Sequence, residues 1–116
     1  MPCELRAGHQ TYWCRFGTGP RPAVLLHCSL AHSGAWAGLA GALAPNLQMT
    51  AFDLPSHGRS ADWDGAADYH HLSTQIAASF LTEPVDLIGH SFGATVALRL
   101  AVEQPQKLRS LTLIEP

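Results

Sequence analysis

The chain has 116 residues, of which 47% are hydrophobic and 14% charged, with a formal net charge of -2. That is enough apolar material for the core of one small domain, yet short for an enzyme built on a large sheet. The charge balance leaves no basic stripe for nucleic acid or anionic lipid, and no apolar run approaches the roughly 20 residues of a membrane span.

No basic segment followed by an apolar stretch of signal length opens the chain, so a cytoplasmic location is expected. Cys3, Cys14 and Cys28 are an odd number in no C-x-x-C spacing. Free thiols in a reducing compartment fit that better than disulfides, and neither zinc nor any cofactor is expected.

In chain order, Gln10 to Phe16 reads as an extended strand, with Leu5 in a partner strand, and Gly17-Thr18-Gly19-Pro20 ends it. Short apolar runs then alternate with helix-length amphipathic segments. Ala23 to His27, Met49 to Phe52, Val85 to Ile88 and Leu111 to Ile114 are the runs, and buried parallel strands are expected there. Ser33 is placed to cap a helix in which Trp36, Leu39, Ala40, Leu43 and Ala44 share one face, stopped by Pro45-Asn46. Asp68 is placed to cap a second, with Tyr69, Leu72, Ile76 and Phe80 facing inward and Glu83-Pro84 closing it. A third runs from Ala94 to Gln104 and ends at Pro105. Strand and helix alternating over short connections predict an α/β fold, a mostly parallel, doubly wound sheet with helices on both faces.

Gly89-His90-Ser91-Phe92-Gly93 spells G-x-S-x-G between the apolar run Val85 to Ile88 and the third helix. In such a strand, sharp turn and helix, the serine takes a strained backbone conformation, and small residues two before and two after let strand and helix close around it. Gly89 and Gly93 meet that demand. Ala94, Ala97, Leu98, Ala101 and Val102 follow at i, i+3, i+4, i+7 and i+8, which predicts the inward face of the helix.

Two other loops supply polar groups. His27-Cys28-Ser29-Leu30-Ala31-His32 follows the first apolar run, and Asp53-Leu54-Pro55-Ser56-His57-Gly58-Arg59-Ser60 follows the second. Acyl transfer by a serine needs hydrogen-bond donors for the tetrahedral oxyanion, one from the amide after the serine and another from an earlier loop.

Together the three motifs, in this order, resemble the N-terminal half of the α/β-hydrolase superfamily. The resemblance runs from about Tyr12 to Pro116. It implies that Ser91 is the nucleophile, that the amides of Ser29 and Phe92 form the oxyanion hole, and that a small ester, thioester or related acyl substrate is cleaved through a covalent acyl-enzyme. Cys28 stands where the family usually has glycine, and Ser56 replaces the usual glycine of the second loop. In this superfamily the triad acid and histidine follow the serine, whereas all seven histidines here precede Ser91. Residues 1 to 116 are therefore expected to be a partial domain, cut after the strand that follows the third helix, with the acid and histidine in later sequence. Glu115, just past that strand, sits where a minority of members place the acid. The open edge at Leu111 to Ile114 is expected to invite self-association. The alternative is a non-catalytic fragment or a binding or assembly half-domain.

The remaining polar residues have plainer expected uses. His27 is expected to hold the oxyanion loop, His90 to support the elbow, and Asp53 and Arg59 to fix their own loop through hydrogen bonds and a local ion pair. His57 reads as a solvated turn histidine. His70 and His71 read as the exposed start of the second helix, diverging too far for one metal. Trp36 is expected in the core, Trp63 in surface packing, and Cys28 as a partly buried thiol without a nucleophilic role.

Overall fold

Strand β2 (His9–Phe16) pairs antiparallel with β1 (Cys3–Arg6) on one side and β4 (Leu47–Phe52) on the other. The computed structural model describes residues 3–116. From β4 onward the ladder is parallel, through β3 (Arg21–Leu26) and β5 (Val85–His90) to β6 (Leu108–Ile114). The order is β1-β2-β4-β3-β5-β6, with β3 and β5 in the middle. An apolar strand buried on both faces suits that position, and Ala23, Val24, Leu25 and Leu26 are all buried.

Alternation along β3 sends its side chains to two cores. Val24 and Leu26 join Phe52, Leu54, Ile76, Leu87 and Leu100 beneath helices α2 (Tyr69–Ala78) and α3 (Phe92–Glu103). Ala23 and Leu25 join Cys14, Trp36, Ala40, Met49 and Ile88 on the side of helix α1 (Ala37–Leu43). Helices therefore cover both faces, as the strand and helix alternation predicts, and Trp36 is a core residue.

At the start of the parallel strands Arg21 forms a fork with Asp86, at 2.7 and 3.0 Å, and the hydroxyl of Ser110 donates to the same carboxylate at 2.6 Å. Burial pushes the Asp86 carboxyl up, but the hydrogen bonds from Arg21 and Ser110 outweigh it and hold the group below its usual value. This cluster ties β3, β5 and β6 together at the end opposite Ser91.

Two helix details depart from the sequence expectations. The first helix opens with a 3₁₀ turn, Ser33–Trp36, and its cap is His32, whose ring accepts the Gly34 amide at 3.0 Å. Ser33 is buried and gives its amide to Asp53 at 2.6 Å instead. The inward stripe of α3 is Gly93, Val96, Ala97 and Leu100 together with Ala94, leaving Leu98 and Val102 exposed. Asp68 does cap α2, accepting the His71 amide at 2.8 Å.

Candidate active site

Ser91 joins β5 to α3 with φ 52° and ψ -112°, a conformation that a residue with a Cβ avoids at a cost of about 1–3 kcal/mol. The surroundings hold it there. Its amide donates to the Ile114 carbonyl at 2.9 Å, and its carbonyl accepts from Ala94 at 2.9 Å and Thr95 at 3.3 Å. A Cβ at residue 89 would sit 2.7 Å from the Cα of Ala94, and one at residue 93 would sit 2.6 Å from the His27 carbonyl oxygen and strike that of Leu26. The two glycines thus let α3 start directly against the ends of β3 and β5. Ser91 itself is exposed.

The close approach at Gly93 brings the start of α3 beside the loop after β3. Phe92 opens that helix, so its amide has no acceptor within the helix and lies at the positive end of the dipole. Across from it, the Ala31 amide donates to the Cys28 carbonyl at 3.2 Å, turning the loop so that Ser29 and Leu30 are exposed. Among the described residues no hydrogen bond engages the Ser29 amide. Cys28 is not among the positive-φ residues, so a side chain is tolerated where the resembled family usually has glycine. The left-handed positions fall instead at Leu30 and Ser56, both at φ 65°.

The loop after β4 supports this arrangement from below. The Asp53 carboxylate accepts the Ser33 amide at 2.6 Å and the Arg59 amide at 2.9 Å. The expected hydrogen bonds are present. The expected ion pair is not, because the Arg59 guanidinium lies over the Tyr12 ring, 5.2 Å from its centroid. Gly58, at φ 52°, packs directly on the Asp53 carboxylate, where a Cβ would have no room.

His27 is buried, with Nδ1 2.7 Å from the Cys28 carbonyl and Nε2 accepting the Leu54 amide at 3.0 Å. Burial lowers its pKa below the ordinary histidine value, which keeps the ring neutral. Both nitrogens are engaged, so it holds the loop, as expected. His57 departs from its expected place in solvent. It is half-buried, with Nδ1 2.9 Å from the Pro55 carbonyl and Nε2 accepting the Leu30 amide at 3.1 Å.

His90 is half-buried and lines a cleft of about 260 Å³ with His27, Cys28, Trp36, Leu39 and Ile114, on the α1 side of the sheet. Its Nε2 is 3.4 Å from a carboxylate oxygen of Glu115, whose side chain is 84% exposed. Glu115 takes φ 47°.

The pair His70 and His71 is not simply solvated either. The His70 Nε2 lies 3.2 Å from the Thr95 hydroxyl and its ring meets Phe92 edge-on, while Arg99 donates to the His71 Nδ1 at 2.7 Å. Arg99 also pairs with Glu103 at 2.8 Å. These bonds fasten α2 to α3 just behind Phe92, and nothing in the sequence pattern singled out Arg99 or Thr95. Trp63 packs edge-on to Tyr69 and donates to the Ala67 carbonyl at 2.7 Å, a surface role as expected. Among the described residues no three His, Cys, Asp or Glu side chains form a metal site, and no helix is long and apolar enough to cross a membrane.

Comparison with known proteins agrees with this fold. The profile of the alpha/beta hydrolase family matches residues 23–116. A pimeloyl-[acyl-carrier protein] methyl ester esterase of Nitrosomonas europaea is 36% identical over 98 residues, covering 84% of this chain and 38% of that protein. The protein of the same description from Yersinia pseudotuberculosis is 34% identical over 105 residues, covering 90% and 40%. Among solved structures, the thioesterase domain from the curacin biosynthetic pathway superposes with a TM-score of 0.86 at 29% identity, covering 97% of this chain and 44% of that one. The chain thus spans about two fifths of the length of these relatives. Family profile, sequence relatives and sheet order all agree: the chain belongs to the alpha/beta hydrolase family.

Proposed function

We propose that this chain is the N-terminal part of a serine esterase in which Ser91 attacks the carbonyl carbon of an acyl ester. The observation that carries the reading is the strained backbone of Ser91 between β5 and α3, at φ 52° and ψ -112°. Strain of this kind persists only where the surroundings enforce it, and it lifts the hydroxyl clear of the sheet. The Oγ–carbonyl bond forms as the serine proton passes to a base, and the carbonyl oxygen gains the negative charge. The amides of Ser29 and Phe92 are the donors assigned to that oxygen. Collapse of the tetrahedral intermediate expels the alcohol and leaves an acyl-serine, which water then cleaves.

We assign the base to sequence that follows Pro116 in a longer protein, because the family's histidine comes after the serine in chain order. His27 has both nitrogens engaged and His57 gives its acceptor nitrogen to Leu30, so neither is free to take the serine proton. Glu115 is the candidate acid that the chain itself carries, one residue past β6 at the elbow end of the sheet. The relatives that are methyl ester esterases point to a small-alcohol ester of an acyl chain as the substrate class. In the full-length protein, Ser91→Ala should lower the hydrolysis of a chromogenic short-chain ester by several orders of magnitude while the melting temperature stays within a few degrees. Unchanged turnover would refute the proposal.

A further inference from the structure

Two imidazoles fasten the loop after β3 to the loop after β4, each reaching across to the other. His27, at the end of β3, accepts the Leu54 amide of the second loop on Nε2 and donates from Nδ1 to Cys28 in its own. His57, in the second loop, accepts the Leu30 amide of the first on Nε2 and donates from Nδ1 to Pro55 in its own. The rings lie 5.1 Å apart between centroids. A backbone N–H is only a donor, so each Nε2 must carry a lone pair and each ring is the neutral Nδ1–H tautomer.

What the clasp encloses is the segment Cys28-Ser29-Leu30. The Cys28 carbonyl is bound to one histidine and the Leu30 amide to the other, with Ser29 and its unengaged amide between them. Leu30 has φ 65°, a region that a branched side chain takes up rarely, and the residue is 97% exposed. Packing therefore does not hold Leu30 in that conformation. Two hydrogen bonds do: the turn's own, from the Ala31 amide to the Cys28 carbonyl at 3.2 Å, and the one from the Leu30 amide to His57. Beneath His57, the Tyr69 hydroxyl donates to the same Pro55 carbonyl at 2.7 Å and lies 3.3 Å from the His57 Nδ1, which ties the clasp to α2.

We propose that His57, backed by His27, is a positioning residue for acyl transfer: by anchoring the Leu30 amide it fixes the turn from Cys28 to Ala31 and keeps the Ser29 amide aimed at the oxyanion. The inference rests on the assignment of Ser91 and Ser29 under Proposed function. His57 touches neither substrate nor reacting atoms in this scheme and acts through one backbone bond. An oxyanion donor works only if it is fixed before charge develops, and small displacements of such groups are costly in rate.

The test uses the full-length protein with His57→Leu and His57→Gln, and an alkyl fluorophosphonate as probe. The serine oxygen displaces fluoride from phosphorus, and the phosphoryl oxygen takes the place of the oxyanion. His57→Leu removes the acceptor, so labelling of Ser91 should slow by about 10- to 100-fold, with kcat for ester hydrolysis falling and KM nearly constant. Exchange of the Leu30 amide should quicken in the same variant. In His57→Gln the new side-chain oxygen can accept the Leu30 amide while its nitrogen donates to Pro55, so this variant should regain most of the rate and the protection. If His57→Leu fails to fold, His57→Asn, with a side chain too short to reach Leu30, carries the same expectations. Labelling of His57→Leu at the wild-type rate, or loss of rate in His57→Gln as deep as in His57→Leu, would overturn the proposal. A wild-type protein that is not labelled at Ser91 would overturn the functional assignment and this inference together, and the exchange of Leu30 would still show whether the clasp forms.

Discussion

The Ser91 amide donates to the Ile114 carbonyl at 2.9 Å, so the strained turn after β5 is tied to the far end of β6. Six register pairs join the same two strands, from Val85 with Leu108 to His90 with Ile114. The conformation of Ser91 is therefore a property of a turn and of the strand beside it, and glycines 89 and 93 make room for it.

Substitution of Gly93 should show how tight that arrangement is. Its added Cβ would meet the backbone carbonyls of Leu26 and His27, which cannot swing aside as a side chain would. Gly93→Ala should destabilise the fold by about 1–3 kcal/mol and abolish esterase activity of the full-length protein. Gly41→Ala is the control, because nothing lies within 4 Å of its added Cβ on exposed α1. There alanine should stabilise the helix by about 0.5–1 kcal/mol. Urea denaturation of both variants checks the contrast.

Most of the architecture was legible because buried parallel strands are written as short apolar runs between turn residues. Val85 to Ile88 and Met49 to Phe52 fall inside β5 and β4. The strand β6 begins earlier than its apolar run, because Arg109 and Ser110 extend it as polar residues and Ser110 pairs with Asp86. The inward face of α3 differs from the expected one for a related reason. Nearly every residue from Ala94 to Val102 is apolar or small, so two neighbouring stripes fit the helical period equally well. The choice is made by the backbone approach at Gly93, a tertiary fact. The same limit hid the use of His57, since a turn histidine looks alike in solvent and in a clasp. Local motifs single out Ser91, Ser29 and Phe92 as candidates, whereas the pairs His57 with Leu30, His70 with Thr95 and Arg99 with His71 span 25 or more residues.

Two groups should give the fold opposite ends of a pH profile. The Asp86 carboxyl is held below its usual value, so its stabilising effect is complete above the unfolded pKa of about 3.9 and is lost as the pH falls through the lower folded value. His27 is lowered by burial, so the unfolded state takes up protons first, and stability declines as the pH falls below about 6.5. The melting temperature of the wild type should drop between neutral and mildly acidic pH, and His27→Gln should flatten that segment of the curve. The gap between wild type and Asp86→Asn should persist through mild acid and close only below the carboxylate range. A wild-type curve that is flat above pH about 4.5 would contradict the assignment to His27.

Thiol chemistry separates the three cysteines by burial. Cys3 is exposed, Cys28 intermediate and Cys14 buried, and burial pushes the Cys14 thiol above its usual value. A thiol reagent at neutral pH should modify Cys3 first, Cys28 slowly and Cys14 only on unfolding. Cys28→Ser should leave Ser91 labelling within about threefold of wild type, since the thiol is not the nucleophile. Fast native modification of Cys28 with loss of activity would reverse the roles of the two residues.

Residues 1 to 116 alone should show no substantial ester hydrolysis, because a serine at its free pKa is a weak nucleophile without a base. The outer edge of β6 has no partner strand among the described residues, so the isolated chain should also self-associate. Sedimentation and an ester assay test the two halves. A stable monomer with turnover that depends on Ser91 would refute both, and would force a base role on His27, His57 or His90.

The central claim is that Ser91 is the nucleophile of an acyl-transfer reaction, and the most direct measurement is fluorophosphonate labelling of the full-length protein followed by mapping of the modified peptide. The account predicts one phosphonylated residue, Ser91, within the segment from Val85 to Arg99, and no labelling in Ser91→Ala. Equal labelling of wild type and Ser91→Ala, or modification mapped to another residue, would contradict it.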